Sequence, residues 1–305
     1  MRCLSLFKDI IAPMLCGCVL ALAGVSLISA FDASRQAALE PPKPFKFALK
    51  PVPRAPLLAE QDVPKVAIII DDLGHNSVDN AGALSLPTQV AFAILPYGKA
   101  SSKLSTDGRR RGHELILHLP MQPKSADIDP GPNALMTRLP TQELRERIVW
   151  NLGQINGIYA VNNHMGSAFT EDAPGMQMLF EELARWDLAF FDSRTTPHSK
   201  SVEMAVRYRV PLAERDVFLD NAVEASAVDA QLAKLEELAR KNGSAIAIGH
   251  PHQVTFEQIK RWEKTLPGKG LALVPPSEIQ RDRATPYWRQ LTRADRQKGF
   301  DRGAL

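Results

Sequence analysis

The chain has 305 residues, 45% hydrophobic and 23% charged, a composition ordinary for a globular protein and long enough for one large α/β domain or two small ones. Its net charge is +3, and no dense Lys/Arg run crosses the central region, which argues against nucleic acid as a partner. The basic character collects near the C-terminus, from Arg281 to Arg302. Arg2 and Lys8 precede an uncharged stretch over 10–31. A positive start followed by an apolar run reads as a signal peptide or a signal anchor over 1–31. The run reaches the roughly 20 apolar residues that span a bilayer, so residues 10–31 are a membrane-attachment candidate. This implies an exported protein, periplasmic or anchored facing the periplasm. All three cysteines (Cys3, Cys16, Cys18) lie in this segment, so the folded part holds neither a disulfide nor a thiolate metal site.

Residues 32–63 are rich in Pro and Ala and lack periodicity, as an extended linker does. From Lys65 short apolar runs alternate with amphipathic stretches. Runs over 66–70, 90–95, 114–117, 158–161, 188–191, 217–219, 245–248 and 271–274 read as strands, and the first has the unbroken apolar texture of a parallel strand buried on both faces. Thr141 is placed to cap a helix bearing Leu144, Ile148 and Leu152 on one face. Ser226 is placed to cap another, with Val228, Leu232, Leu235 and Leu238 inward and Gly243 near its end. Thr255 and Gln258 have capping-box spacing ahead of Ile259, Trp262 and Leu266. The alternation predicts an α/β fold with a parallel sheet, and seven or eight units suggest a closed or nearly closed barrel over 64–279. Residues 280–305 read as a charged tail, mobile or a short surface helix.

The apolar runs stop at polar groups: Asp71-Asp72, His118-Leu119-Pro120-Met121, Asn162-Asn163-His164, Asp192-Ser193-Arg194, Asp220-Asn221 and Gly249-His250. In an α/β barrel the C-terminal strand ends share one face, where active sites form. Carboxylate oxygen and imidazole nitrogen suit zinc or another divalent transition metal. Plainer roles exist for each residue. Asp71 and Asp72 could cap the next helix, His118 could bond backbone, and His164 could organise a loop. Arg215 could pair with a carboxylate of the site. Glu114 is expected to face a polar partner, and Arg109 to Arg111 to be a solvated face.

Ile70-Asp71-Asp72 with Gly112-His113-Glu114-Leu115-Ile116-Leu117-His118 resembles the first two motifs of the NodB-type polysaccharide deacetylases. His118-Leu119-Pro120-Met121, Asn163-His164-Met165-Gly166-Ser167, Phe191-Asp192-Ser193 and Ile248-Gly249-His250-Pro251 resemble the divergent branch of that superfamily. The resemblance implies a deformed (β/α) barrel and a metal-dependent hydrolase that removes acetyl groups from a polysaccharide, acting on non-peptide carbon–nitrogen bonds. It implies Asp71 as base, Asp72 and His118 as metal ligands and His250 as general acid. The chain departs from the pattern at Gln122, where the family's second motif has another histidine, and it lacks an Arg-x-Pro-x-Tyr motif. His164 is the candidate third ligand, with Asp192, Arg215 and Asp220 as supporting residues. The departure leaves an alternative open, an envelope carbohydrate-binding or scaffolding protein with a degenerate site. A phosphoesterase is disfavoured because the strand ends lack groups to grip phosphate.

Overall fold

The computed structural model describes residues 63–283. The expected signal or anchor, most of the Pro-rich linker and residues 284–305 of the charged tail lie outside the described residues. Strands β1 (Lys65–Leu73), β2 (Ala91–Ile94), β3 (Leu115–Met121), β4 (Ala160–Met165), β5 (Ala189–Asp192), β6 (Leu212–Glu214), β7 (Val217–Phe218), β8 (Ser244–Gly249) and β9 (Ala272–Leu273) form one sheet. All pairings are parallel, in the order β6-β5-β4-β3-β2-β1-β8-β7, with β9 beside the start of β1. Helices α1 (Ser77–Ala83), α2 (Ser101–Arg111), α3 (Thr141–Leu152), α4 (Ala173–Arg185), α5 (Ser201–Tyr208), α6 (Ala225–Asn242) and α7 (Gln253–Glu263) supply the connections. The result is a curled α/β barrel of eight strands with a ninth alongside, the parallel α/β architecture that the alternation in the sequence predicts.

The curling is enforced at one point. β6 and β7 stand at opposite ends of the strand order, yet only Arg215 and Asp216 separate them in the chain. The Arg215 N–H donates to the carbonyl of Asp192, beyond β6 on the β5 side, and the Asp216 N–H donates to the carbonyl of Ile246 in β8. One continuous stretch therefore switches partners within two residues and draws the sheet's two edges together. The sequence reading missed β6, because three residues starting at Leu212 carry no periodicity to detect.

Alternation along the strands sorts the core into two layers. Val66, Ile68, Ile70, Leu117, Leu119, Val161 and Phe190 pack with helix residues such as Leu104, Ile148, Leu179 and Leu235. Ala67, Ile69, Ala91, Ala93, Ile116, Ala160, Phe191, Ala213, Ile246 and Ile248 form a separate cluster with Ile279 and no residue from α1 to α7. Side chains in a strand alternate between faces, so the second cluster is the inside of the curl. Its many alanines reflect the little room there.

The three proposed helix caps do not form. Thr141 is the first residue of α3, whose N-cap is Pro140 with no side-chain cap bond. Ser226 is the second residue of α6, after Glu224 as N-cap. Thr255 lies inside α7 and is fully buried, its hydroxyl donating to Asp220 instead. Leu266 lies past the end of α7 but is buried in the core. The tail also begins later than its charge suggests. Ile279 and Gln280 are buried, the Gln280 amide donates to the carbonyls of Phe190 and Pro211, and Arg283 pairs with Asp216 at 2.7 Å. Residues 276–283 are helical and belong to the fold.

Candidate metal centre and its acid–base neighbours

The inward alternation continues past the apolar layer and becomes polar. Ala67 and Ile69 lead to Asp71, Ile116 to His118, Ala160 to Asn162 and His164, Phe191 to Ser193, and Ile248 to His250. The polar groups are thus continuations of inward strand faces, and several lie within the strands themselves: β1 runs through Asp71 and Asp72, β3 through His118, and β4 through His164. His118 and Asn162 are register partners across β3 and β4, with Pro120 opposite His164 two residues further.

Asp72 should face outward by strict alternation. A register irregularity in β1 prevents this: Ile70 pairs with Phe92 and Leu73 with Ile94, so one strand has three steps where the other has two. Asp72 also has φ +56°, a left-handed value that Asp tolerates better than most residues. The bulge re-aims the side chain, as bulges beside sites do. Both carboxylates therefore reach His118, Asp71 Oδ2 at 3.8 Å from Nδ1 and Asp72 Oδ1 at 3.0 Å from Nε2.

Asp72 Oδ1 lies 3.0 Å from His118 Nε2 and 2.8 Å from His164 Nδ1, and the two nitrogens are 3.1 Å apart. Oδ1 is buried without a well-directed hydrogen-bond partner. Two imidazole nitrogens thus converge on a buried carboxylate oxygen that no well-directed hydrogen bond satisfies. Ligand atoms about 2.0 Å from a tetrahedral zinc stand roughly 3.3 Å apart, close to these separations. Among the described residues this is the cluster able to hold a metal ion, and its donor set fits zinc or a similar divalent transition metal. Burial alone would raise the Asp72 carboxyl, but the adjacent imidazoles of His118 and His164 outweigh it and hold the group well below the carboxylate range. Burial alone would lower His118, but the Asp71 charge and the contact with Asp72 outweigh it and lift the imidazole to about 9.

Asp71 is 2% exposed, and burial pushes its carboxyl up against the lowering charges of His118 and His250. Its Oδ1 accepts the amide of Asn162 at 2.7 Å. His250 enters from β8. Its backbone N–H donates to Asp220 Oδ2 at 2.6 Å and its Nδ1 lies 2.9 Å from Asp220 Oδ1, while Nε2 is 4.0 Å from Asp72 Oδ2. Thr255 donates to the same Asp220 carboxylate at 2.9 Å. Burial would lower His250, but Asp220 and Asp71 together raise it, and Asp220 itself is lowered by its bonds to His250.

Residues 68–280 match the family model for divergent polysaccharide deacetylase. The chain belongs to the divergent polysaccharide deacetylase family. It is 33% identical to the uncharacterized protein YibQ of Escherichia coli (strain K12) over 226 residues, 73% of this chain and 70% of YibQ. An uncharacterized protein of Haemophilus influenzae (strain ATCC 51907 / DSM 11121 / KW20 / Rd) is 33% identical over 204 residues, 67% of this chain and 72% of that one. The crystal structure of the uncharacterized protein ATU2773 from Agrobacterium tumefaciens C58 matches with a TM-score of 0.70 at 25% identity, covering 73% of this chain and 92% of that one.

Against the sequence expectations for a divergent polysaccharide deacetylase, the structure brings Asp71, Asp72, His118, His164, His250 and Asp220 together. Neither Asp71 nor Asp72 caps a helix, since Asn76 caps α1. Asp192 does not join the site. It follows Phe191 and faces the helices, where Ser201 and the Arg194 N–H donate to it. Arg215 is not paired with a site carboxylate. Its Nε donates to the Ser193 carbonyl at 2.8 Å, its Nη2 to that of Arg194, and the guanidinium lies over Phe218 at 5.2 Å. Gln122 faces away into the connection after β3, its amide oxygen accepting from the Thr137 N–H and hydroxyl. Glu114 accepts from Ser277, the polar partner anticipated. Asn162 and Ser193 were overlooked as site residues. Alternation from Ala160 through Asn162 to His164 was the available signal.

Proposed function

We propose that this protein is a metal-dependent hydrolase that removes acetyl groups from an envelope polysaccharide. The observation that carries the reading is the convergence of Asp72 Oδ1, His118 Nε2 and His164 Nδ1 at 2.8 to 3.1 Å, with a buried carboxylate on one side and a carboxylate-held histidine on the other. Asp72, His118 and His164 would hold the ion, zinc or another divalent transition metal, which when bound acidifies water and polarises a carbonyl. Asp71 takes a proton from the attacking water, and burial makes its carboxylate a stronger base than an exposed one. His250 stands ready with Nδ1 on Asp220 and Nε2 facing the site. It protonates the departing amine nitrogen or sugar oxygen, and acetate is the other product. Five strands, β1, β3, β4, β7 and β8, carry these groups or end just before them, so the rigid sheet fixes their spacing.

His164 supports catalysis over a carbohydrate-binding protein with a degenerate site. It supplies the nitrogen that Gln122 cannot, and Gln122 serves a structural bond instead. Export, with the segment over 10–31 as signal or anchor, is part of the proposal and rests on the sequence alone. The test is zinc content of the purified protein together with acetate release from acetylated glycans, with and without chelator. Acetate release that disappears with chelator and returns with zinc supports the reading, and glycan binding without acetate release under zinc-replete conditions overturns it.

A further inference from the structure

Asn162 is the fully buried centre of the site's hydrogen bonds. Its Nδ2 is 2.7 Å from Asp71 Oδ1 and its Oδ1 is 2.8 Å from His118 Nδ1. The same amide thus touches the proposed base and a proposed metal ligand, which no hydrogen bond joins directly, Asp71 Oδ2 standing 3.8 Å from His118 Nδ1. Ser193 Oγ, 3.4 Å from Nδ2, is the amide's other neighbour.

The chemistry of the three groups fixes who donates. A carboxylate only accepts, so the amide must turn its NH2 to Asp71. Its oxygen is then committed to His118, and an amide oxygen also only accepts. When the ring is neutral, His118 must therefore carry its one proton on Nδ1, which leaves the lone pair on Nε2. Nε2 is the nitrogen that faces Asp72 and His164. We infer that Asn162 is a positioning residue that couples Asp71 to His118, using the ionised base to fix the histidine in the one tautomer able to bind metal. The inference deepens the proposed metal centre and rests on it for its purpose, but the hydrogen-bond relay stands on the geometry alone. If the amide were reversed, its NH2 would meet Nδ1 and the ring proton would sit on Nε2, blocking the ligand position.

Two measurements test this, and the first needs no metal. Nitrogen NMR of histidine-labelled, metal-free protein, above the value of about 9 to which His118 is raised, reads which ring nitrogen carries the proton. The wild type is expected to show Nδ1–H at His118, and Nε2–H there overturns the inference without any variant. Asn162→Asp keeps an acceptor toward His118 while losing the donor to Asp71, so it retains Nδ1–H. Asn162→Leu removes both and lets the tautomers mix. The second measurement is zinc affinity by competition with a coloured chelator. Asn162→Leu is expected to weaken zinc by roughly 10–100-fold, the usual cost of losing an outer partner of a ligating histidine. Asn162→Asp is expected to stay within a few fold of wild type in zinc affinity and to lose deacetylation, because its carboxylate opposes Asp71. Equal tautomer spectra and equal zinc affinities in the two variants overturn the coupling. A wild type that shows Nδ1–H but binds no zinc removes the metal centre and leaves the relay standing.

Discussion

Asp220 grips His250 at two points, taking the backbone N–H at 2.6 Å on Oδ2 and facing ring Nδ1 at 2.9 Å with Oδ1. The backbone bond holds the carboxylate beside His250, and the ring cannot turn away without losing the Nδ1 contact. The carboxylate side chain is fully buried and Thr255 donates to Oδ2 beside the His250 N–H, so the clamp is itself fixed. Asp220 was expected only as a supporting residue, and this geometry assigns it a defined part.

Replacing Asp220 with Asn keeps the shape of the clamp and removes its charge. One amide face then presents NH2 where an acceptor is needed, and His250 loses its orientation or its preferred proton position. General acid–base groups contribute typically about 10²–10⁴-fold to rate. Asp220→Asn is expected to lower kcat for deacetylation by at least roughly 100-fold on that scale, with zinc content unchanged. Steady-state kinetics beside metal analysis check it, and a variant at full kcat removes His250 from the acid role.

The third ligand is the boldest assignment at the site, because it comes from β4 where the family pattern places a histidine after β3. His164→Ala is expected to weaken zinc by more than the roughly 10–100-fold that outer-shell changes cost, as is His118→Ala. Gln122→Ala is expected to leave zinc binding alone and to loosen the connection that Thr137 anchors. Metal analysis by mass spectrometry after dialysis separates these outcomes. Undiminished zinc in His164→Ala would return the search for a third ligand to other residues.

Much of this was legible because a parallel barrel aligns its strand ends. Apolar runs followed by Asp, His or Asn mark Asp71, Asp72, His118, His164, Asp220 and His250 in the sequence alone. Two things were not legible. The bulge that turns Asp72 inward depends on the register between β1 and β2, a relation between segments that one strand's sequence does not contain. The outward fate of Asp192 follows from parity, but parity can be counted only when the inward residue of its strand is known, and Phe190 and Phe191 are equally apolar. Asn162 was hidden differently. Its value lies in touching two residues 91 and 44 positions away.

His113 gives the fold a pH dependence separate from the site. Its ring is buried, stacks on Phe92 at 4.0 Å and lies 2.9 Å from the Val90 carbonyl through Nδ1. Burial lowers its pKa, against the opposing bond to Val90. The unfolded chain then takes up a proton near 6.5 that the native state refuses. Stability contributed by neutral His113 is complete above that value and is lost as the pH falls from it toward the native value. The midpoint of urea unfolding is expected to drop between neutral and mildly acid pH, and His113→Phe to flatten that slope while keeping the stacking. An unchanged slope in the variant would assign the dependence to other groups.

Arg283 closes the seam where the sheet's two edges meet. Its Nη2 bonds Asp216 at 2.7 Å and the Ser244 carbonyl at 3.1 Å, and its Nη1 reaches the Glu214 carbonyl. These acceptors come from the linker between β6 and β7, the start of β8 and the end of β6. No strand pairing joins β6 to β7, so this side chain adds to the bonds that the Arg215–Asp216 crossover makes across the seam. Hydrogen bonds to charged groups contribute about 1.5–3 kcal/mol each when their loss strands a partner. The partly exposed setting of both residues argues for the lower part of that range. Arg283→Ala is expected to cost about 2 kcal/mol in urea unfolding, and Arg283→Lys to recover only part of it because a single ammonium cannot span all of these acceptors. A loss no larger than that of a surface arginine would mean that the Arg215–Asp216 crossover holds the barrel shut on its own.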